Sequence, residues 1–207
     1  MFNNSTNLIS INFTSHLKTE KVIDLSNMFH FCYSLNSIYF PNFDTSNVKN
    51  MTHMFYYCKN LEKIDISSFV LTNVQNIKYM FRGCTYLKYV NFSNHPKNNI
   101  QYMDYLFSEC SSLTSVDFNN FNTENVKSMR YMFYNCFSIT FLNLNSFDTS
   151  KVTVMNSMFY GCSSLVELHI SNFSKNSLSN TYAMFDKGNK IKIYTNSNFL
   201  QLCNTFK

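Results

Sequence analysis

The stretch NMFHFC, from Asn27 to Cys32, combines large apolar side chains with a histidine and ends on a cysteine. Parts of it recur along the chain in steps of 26 residues. A phenylalanine preceded by Met or Leu is found at Met28-Phe29, Met54-Phe55, Met80-Phe81, Leu106-Phe107, Met132-Phe133, Met158-Phe159 and Met184-Phe185. The same step relates six of the seven cysteines, which are Cys32, Cys58, Cys84, Cys110, Cys136 and Cys162. A fixed period of this size predicts a repeat array.

The composition suits such an array. Hydrophobic residues make up 45% of the 207 residues, which is enough for a continuous core. Charged residues make up only 14%, and the net charge of +5 comes from scattered lysines without a basic run. This argues against nucleic-acid binding. No stretch approaches the ~18 apolar residues of a membrane span.

Two periodicities alternate inside each unit. In SIYF (Ser37–Phe40) and KIDI (Lys63–Ile66), apolar residues alternate with others, which predicts a short strand with one buried face. In NVKNMTHMFYYC (Asn47–Cys58), apolar residues recur at steps of three and four, which predicts a helix of about three turns. The preceding DTS, Asp44–Ser46, supplies side-chain oxygens of the kind found at helix N-caps. Each unit is therefore predicted to be strand, turn and helix.

A strand and a helix of this size cannot bury their apolar faces alone, so successive units must stack with parallel strands. The predicted fold is an α/β solenoid of about seven 26-residue units, forming a single domain over 1–207. Residues 1–27 are predicted to be a degraded first repeat, 28–185 the regular repeats and 186–207 a C-terminal cap. Within the cap, KIKIY offers a last strand and Asn198–Phe206 an irregular cover for the final edge.

The motif that runs from Leu35 to Leu61 resembles the BspA-like leucine-rich repeats. It reads L-x-x-I-x-F, then F-D-T-S-N-V-x-x-M-x-x-M-F-x-x-C-x-x-L, and it returns five more times with small changes. The resemblance covers about Leu8 to Ile193. It implies a leucine-rich-repeat-type solenoid with a parallel sheet on its concave face. It also implies display on a cell surface and binding of host proteins, matrix proteins or neighbouring cells.

The cysteine series admits three interpretations. Disulfides between identical positions would pair them arbitrarily, and a line of thiols on parallel rungs does not converge on a tetrahedral metal. The favoured interpretation is packing, because a small thiol suits a tight buried position. His95 occupies a position held by phenylalanine in other units and is followed by Pro96, which indicates an altered local turn rather than a functional histidine.

The row Asp65, Asn91, Asp117 and Asn143 shares one outward strand position. Calcium binding is one interpretation of this row, but no ligand-dense loop with a turn glycine accompanies it, so a solvated face is favoured. Paired catalytic carboxylates, nucleophile elbows and phosphate-binding glycine loops do not occur in the sequence, so no enzyme activity, cofactor or metal is predicted.

The outward strand positions are the predicted binding surface, since the inward ones are fixed by packing. Exposed aromatic side chains are favoured as anchors because aromatics dominate binding hot spots. The predicted partner-binding residues are Tyr39, Lys63, Asp65, Tyr89, Asp117, Phe141, Glu167 and His169. The expected partner is a host, matrix or cellular protein, bound by a monomer.

Two functional hypotheses remain open from the sequence. One is a non-catalytic binding module of adhesin type, and the other is an intracellular scaffold or effector. The first residues, MFNNSTNLISINF, have neither a basic nor an apolar signal region, so no secretion signal is predicted in this chain.

Overall fold

The computed structural model describes residues 1–13, 18–41, 43–185 and 190–204. These ranges form a parallel-sheet β-solenoid of about seven turns. The regular elements are β1 (Ser10–Asn12), β2 (Ser37–Tyr39), β3 (Lys63–Asp65), β4 (Tyr89–Asn91), β5 (Ser115–Asp117), β6 (Phe141–Asn143), β7 (Glu167–Ile170), β8 (Lys192–Thr195) and α1 (Ser197–Asn204). The predicted solenoid and the predicted strands are confirmed.

The strands pair in parallel with a register that matches the repeat. Ile64 lies opposite Val90, which lies opposite Val116, and Leu142 lies opposite Leu168. The second residue of each strand points inward, while the first and third point outward, because side chains alternate along a strand. A one-residue slip would expose the whole inward set, so burial fixes the register.

The predicted strand-turn-helix unit is wrong in its helix. In the described part of the chain, the segments after the strands are chains of turns, and helix occurs only in α1. Backbone amides at alternate positions donate to the next coil: Phe29 donates to Met54 O at 2.8 Å, and Phe31 donates to Tyr56 O at 2.8 Å. The Cys32 amide closes a turn on Phe29 O at 3.1 Å. Because the amides of Phe29 and Phe31 leave the segment, they cannot form the i to i−4 bonds of a helix.

Two residues in each turn segment adopt a left-handed backbone conformation, which also interrupts any helix. They form two series with a period of 26. The first series is Asn27, His53, Tyr79, Tyr105, Tyr131, Ser157 and Ala183, and the second is Phe31, Tyr57, Gly83, Glu109, Asn135 and Gly161. The apolar residues spaced by three and four positions are the buried residues of successive turns. A helix has the same spacing of apolar residues, which is why the sequence pattern predicted one.

The side-chain oxygens predicted to cap helices instead accept hydrogen bonds that form turns. Asp44 Oδ1 accepts a hydrogen bond from the backbone N–H of Ser46 at 2.8 Å, and Asp148 Oδ1 accepts one from Ser150 at 2.8 Å. These are Asx turns, in which the side chain mimics a backbone turn. The aspartates therefore do begin the next segment, but they begin a series of turns and not a helix.

The core is a continuous file of apolar side chains through all the coils. Its centre is a ladder of phenylalanine rings with centroids 5.3 to 5.9 Å apart. The ladder consists of Phe2, Phe29, Phe55, Phe81, Phe107, Phe133, Phe159 and Phe185. The six inner rings of the ladder, from Phe29 to Phe159, are fully buried, and each lies between the rings of the coils before and after it.

The two ends continue the pattern. Phe2 stacks on Phe29, and β1 pairs with β2, so the first residues form a coil of their own. Leu17, assigned to the degraded first repeat, lies outside the described residues. At the other end, β8 pairs with β7 as predicted. The predicted irregular cap is helical over α1, which begins after Asn196, whose Oδ1 accepts the Phe199 amide at 2.9 Å as an N-cap.

The sheet is interrupted twice, and the strands form the groups β1-β2, β3-β4-β5 and β6-β7-β8. The turn segments that follow the strands form the other side of the solenoid, called here the turn flank. On the turn flank, isolated β-bridges continue across both interruptions, from Asn50 to Asn76 and from Ser128 to Val154. At both interruptions, neighbouring coils therefore lose their backbone pairing between the strands and keep it between the turn segments. On a concave face the strands would be closer together than the turn segments, and the interruptions do not show this. The concave position of the sheet stays a prediction.

Candidate functional site

The eight residues predicted to bind a partner all lie on the outward face of the strands, called here the strand face. They occupy two columns, one for the first residue and one for the third residue of each strand. The first column contains Lys63, Tyr89, Phe141 and Glu167, and the second contains Tyr39, Asp65, Asp117 and His169. The interruptions divide the set, with Tyr39 in the first group of strands, four residues in the second and three in the third.

Three of these residues are exposed aromatics. The side chains of Tyr39, Phe141 and Tyr89 are 63%, 46% and 38% exposed. Tyr39 and Tyr89 stack on no other ring in the part of the chain that the structure describes. Large exposed rings that the fold itself does not use are suited to contacting a partner.

Asp65 and Asp117 have a structural task as well. Asp65 Oδ1 accepts the Ser67 amide at 2.9 Å, and Asp117 Oδ1 accepts the Asn119 amide at 2.8 Å. Asn91 and Asn143 accept the corresponding amides of Ser93 and Asn145. The row of acids and amides in the sequence is thus explained by Asx turns that end the strands.

The third group of strands carries a compact cluster. His169 Nε2 lies 2.7 Å from Glu167 Oε1, and the His169 ring lies 5.4 Å from the ring of Phe141 and 4.3 Å from that of Tyr194. Lys192 Nζ is 4.8 Å from the Tyr194 centroid. Tyr194 and Lys192 are not among the predicted binding residues, although they continue the two columns by one more strand.

A groove opens at each interruption of the sheet. The groove between β5 and β6 has a volume of about 500 Å³, and the groove between β2 and β3 has one of about 550 Å³. Phe141 lines the first and Tyr89 lines the second, so an exposed ring stands beside each groove. No sequence signal marks these grooves, because they depend on the distance between neighbouring coils.

The six repeated cysteines are buried, and each thiol donates a hydrogen bond to a carbonyl of the preceding coil. Cys84 Sγ lies 3.0 Å from Phe55 O, and Cys110 Sγ lies 3.1 Å from Phe81 O. Burial raises the pKa of the Cys84 and Cys110 thiols, which suppresses the reactive thiolate. The packing interpretation is confirmed, with a weak hydrogen bond between coils in addition.

The turn flank carries a polar network that sequence reasoning missed. The Arg82 guanidinium donates to Glu109 Oε1 at 2.7 Å, and the Tyr57 hydroxyl donates to Glu109 Oε2 at 2.6 Å. The hydrogen bond to Glu109 and partial burial raise the pKa of Tyr57 to about 12. Arg82 lies 25 residues after Tyr57 and 27 before Glu109, while Tyr57 and Glu109 are 52 residues apart, which is two repeats. A comparison over three successive units would therefore have placed these residues together.

The same flank has a buried carboxylate and a ladder of rings. Asp104 is 1% exposed and pairs with Lys78 Nζ at 3.1 Å, while Ser128 Oγ donates to its Oδ1. The rings of His53, Tyr79, Tyr105 and Tyr131 stack with centroids 4.6 to 4.7 Å apart. Since these ring faces cover one another, the ladder is not free to stack on a ligand. Both features join neighbouring coils.

His95 replaces a core phenylalanine and is 4% exposed. Its Nε2 donates to Ile66 O at 3.2 Å, and the Asn98 side-chain Nδ2 donates to His95 O at 3.1 Å. Burial lowers the pKa of His95 below the ordinary value of 6.5, and burial lowers those of His30 and His53 in the same direction. His95 is therefore a hydrogen-bonded core residue, as the sequence indicated.

Because of these histidines, we expect acid to weaken the fold. Their folded pKa values lie below 6.5, so the unfolded chain binds more protons than the folded chain as the pH falls below that value. Their contribution to stability is complete above the unfolded pKa and decreases below it. The urea midpoint should therefore be lower at about pH 5.5 than at about pH 7.5.

The variant His95→Phe is the control for this prediction, since phenylalanine holds the position in other units. Its midpoint should change less between the same two pH values. An equal change in the variant and in the parent protein would show that His95 makes no contribution.

Comparison with known proteins identifies the family. A family model described as "Mycoplasma protein of unknown function, DUF285" matches residues 1–91 and 88–199. The chain belongs to this family. A comparison of the DUF285 chain with curated proteins gives no match.

Among solved structures, a leucine-rich repeat protein from Bacteroides ovatus matches with a TM-score of 0.52 and 22% identity. The match covers 94% of this chain and 57% of that protein, so this chain spans little more than half of its length. A T. pallidum leucine-rich repeat protein matches with a TM-score of 0.48 and 16% identity, over 99% of this chain and 73% of the other. A leucine-rich cell surface protein from Faecalibacterium prausnitzii matches with a TM-score of 0.49 and 14% identity, over 98% and 63%.

The DUF285 family match and the Bacteroides fold together confirm the BspA-like leucine-rich repeat assignment. In the described residues of the DUF285 protein, no group of three or more His, Cys, Asp or Glu is placed to hold a metal ion. The helix found there is too short to cross a membrane.

Proposed function

We propose that this protein is a non-catalytic protein-binding module whose strand face contacts the partner. The observation that carries the proposal is the position of three exposed rings, Tyr39, Tyr89 and Phe141, on one face of parallel strands. The polar network of the turn flank joins the coils to one another and so has a structural explanation. Among the strand-face rings, Phe141 contacts the His169 ring, whereas Tyr39 and Tyr89 have no ring contact with another described residue that would explain them.

The adhesin type of binding is favoured over an intracellular scaffold. Its support is the resemblance to the BspA-like leucine-rich repeats of bacterial surface proteins. The expected partner is accordingly a host or matrix protein, bound by a monomer. If this placement is wrong, the same face serves an intracellular scaffold, and the partner is a cellular protein.

The test replaces the three rings together with serine, the residue that stands on the strand face at Ser37 and Ser115. Beads coated with the parent protein should adhere to cultured epithelial cells, and the triple variant should lose about tenfold or more in binding. Loss of this size corresponds to the removal of a hot-spot anchor worth about 1.4 kcal/mol or more.

The matched control replaces three exposed aromatics outside the strands, Tyr86, Phe137 and Tyr182, which are 57%, 46% and 79% exposed. This variant should adhere as the parent does. Equal adhesion by the strand-face variant and the parent would exclude the strand face, and equal losses in both triple variants would show that adhesion is only general surface hydrophobicity.

A further inference from the structure

The groove between β5 and β6 has walls of different chemistry. Asp117 stands on the β5 side and Phe141 on the β6 side. Within the described residues, the two strands share no ladder pairing, although Ser128 and Val154 of the same two coils are bridged on the turn flank. The coils are thus held together on one side and separated on the other, which produces an open slot about 500 Å³ in volume. A slot of this size can accept one long side chain.

The floor of the groove is apolar and partly exposed. Val116, the middle residue of β5, is only half-buried, whereas Val90 at the same position of β4 is fully buried. The separation of the strands therefore leaves part of the Val116 side chain accessible. An aliphatic stem lying in the slot would cover it.

The groove has one charged group, the carboxylate of Asp117, among its lining residues. Its Oδ1 holds the Asx turn with Asn119. Its Oδ2 accepts no hydrogen bond from a described residue, so this oxygen is available to a donor. Burial and, after it, the nearby carboxylates of Asp117 and Asp65 raise the pKa of Tyr89, so the negative charge of Asp117 is felt at the neighbouring strand.

We propose that the groove between β5 and β6 binds an arginine side chain of the protein partner, an inference that rests on the proposed function. The guanidinium is planar and stacks on an aromatic face, here the ring of Phe141. The same group donates to a carboxylate, here Asp117 Oδ2. The aliphatic stem covers Val116. Lysine has a compact charge that does not stack in the same way, so arginine is the better occupant.

The groove between β2 and β3 is the internal control. It is lined by Glu62, Lys63, Asp65 and Tyr89, so it carries its own cation. Glu62 is already paired with Lys88 at 3.0 Å. A guanidinium entering this groove would meet the Lys63 ammonium, and we expect arginine to prefer the β5-β6 groove for this reason.

The experiment is an NMR titration of the full ¹⁵N-labelled chain with three blocked peptides, Gly-Gly-Xaa-Gly-Gly, in which Xaa is arginine, lysine or citrulline. Citrulline has the shape of arginine without its charge. The arginine peptide should shift the backbone amides of Ser115–Asp117 and Phe141–Asn143. It should bind about fivefold more tightly than the citrulline peptide, the difference expected for an exposed charge pair worth about 1 kcal/mol. The difference should decrease with added salt.

Two variants test the two groups that the proposal assigns to the arginine side chain. Asp117→Asn retains an Oδ1 for the Asx turn, because Asn91 and Asn143 do the same in neighbouring strands, and it should reduce arginine binding about fivefold. Phe141→Ser should reduce it similarly. The matched variant Asp65→Asn, at the other groove, should leave the titration unchanged.

The absence of shifts at β5 and β6, equal affinity for arginine and citrulline, or an equal effect of Asp65→Asn would each overturn the proposal. These results are distinguishable from failure of the strand face as a whole. If the serine triple variant loses cell adhesion but Asp117→Asn does not alter the titration, the proposed function stands and the arginine site does not.

Discussion

Replacing Phe107 with alanine should lower the free energy of unfolding by about 3–5 kcal/mol, the usual cost of deleting a fully buried aromatic ring. Phe107 is fully buried and stacks on Phe81 at 5.6 Å and on Phe133 at 5.5 Å. The variant loses both ring contacts and leaves a cavity that the stacked coils cannot close, because each coil is hydrogen-bonded to its neighbours on the turn flank.

The position of Phe107 in the middle of the ladder adds a second effect. In a solenoid, stability is close to a sum of repeat terms and nearest-neighbour terms, so a weak central interface can separate the unfolding of the two halves. Urea denaturation followed by circular dichroism should show a lower midpoint and a broader transition than in the parent protein.

Phe137→Ala is the control, since Phe137 is of the same residue type but 46% exposed. Its free energy of unfolding should stay within about 0.5 kcal/mol of the parent value, as for surface substitutions in general. A similar loss in both variants would show that the ring ladder is not the principal contact between coils.

Replacing Gly161 with alanine should cost roughly 1–3 kcal/mol of stability, the range for a strained backbone position. Gly161 has φ +77°, a conformation that favours glycine. A Cβ on this residue would also lie 3.0 Å from Asn135 Cα and would overlap Asn135 Oδ1. The backbone of the preceding coil cannot move away without breaking its own hydrogen bonds, so we expect the upper part of the range.

The control is Ser163→Ala, an exposed position two residues further along the same coil. Thermal unfolding should give the parent midpoint for this variant and a clearly lower midpoint for Gly161→Ala. An unchanged midpoint for Gly161→Ala would mean that the close approach of the two coils at Asn135 relaxes without cost.

Glycine and asparagine carry information that the helix prediction did not use. Two of the three glycines, Gly83 and Gly161, fall in one register position of the predicted helix, and Asn135 occupies that position between them. Residues that tolerate a left-handed backbone, placed at the same point of successive units, favour a chain of turns over a helix. The aromatic residues at the other left-handed positions, such as Tyr79 and Tyr105, obscure this signal.

By itself, the sequence determined the repeat, the positions and register of the strands, the inward file of phenylalanines and thiols, and the outward columns that contain the candidate site. All of these result from a period of 26 residues and from alternation along a strand, which are local properties of the chain. The tertiary structure decided whether the intervening segment is helical, because the partners of its amides lie about one coil away along the chain. It also decided where the sheet opens, since the separation of β5 from β6 depends on how two whole coils pack and not on any residue within one of them.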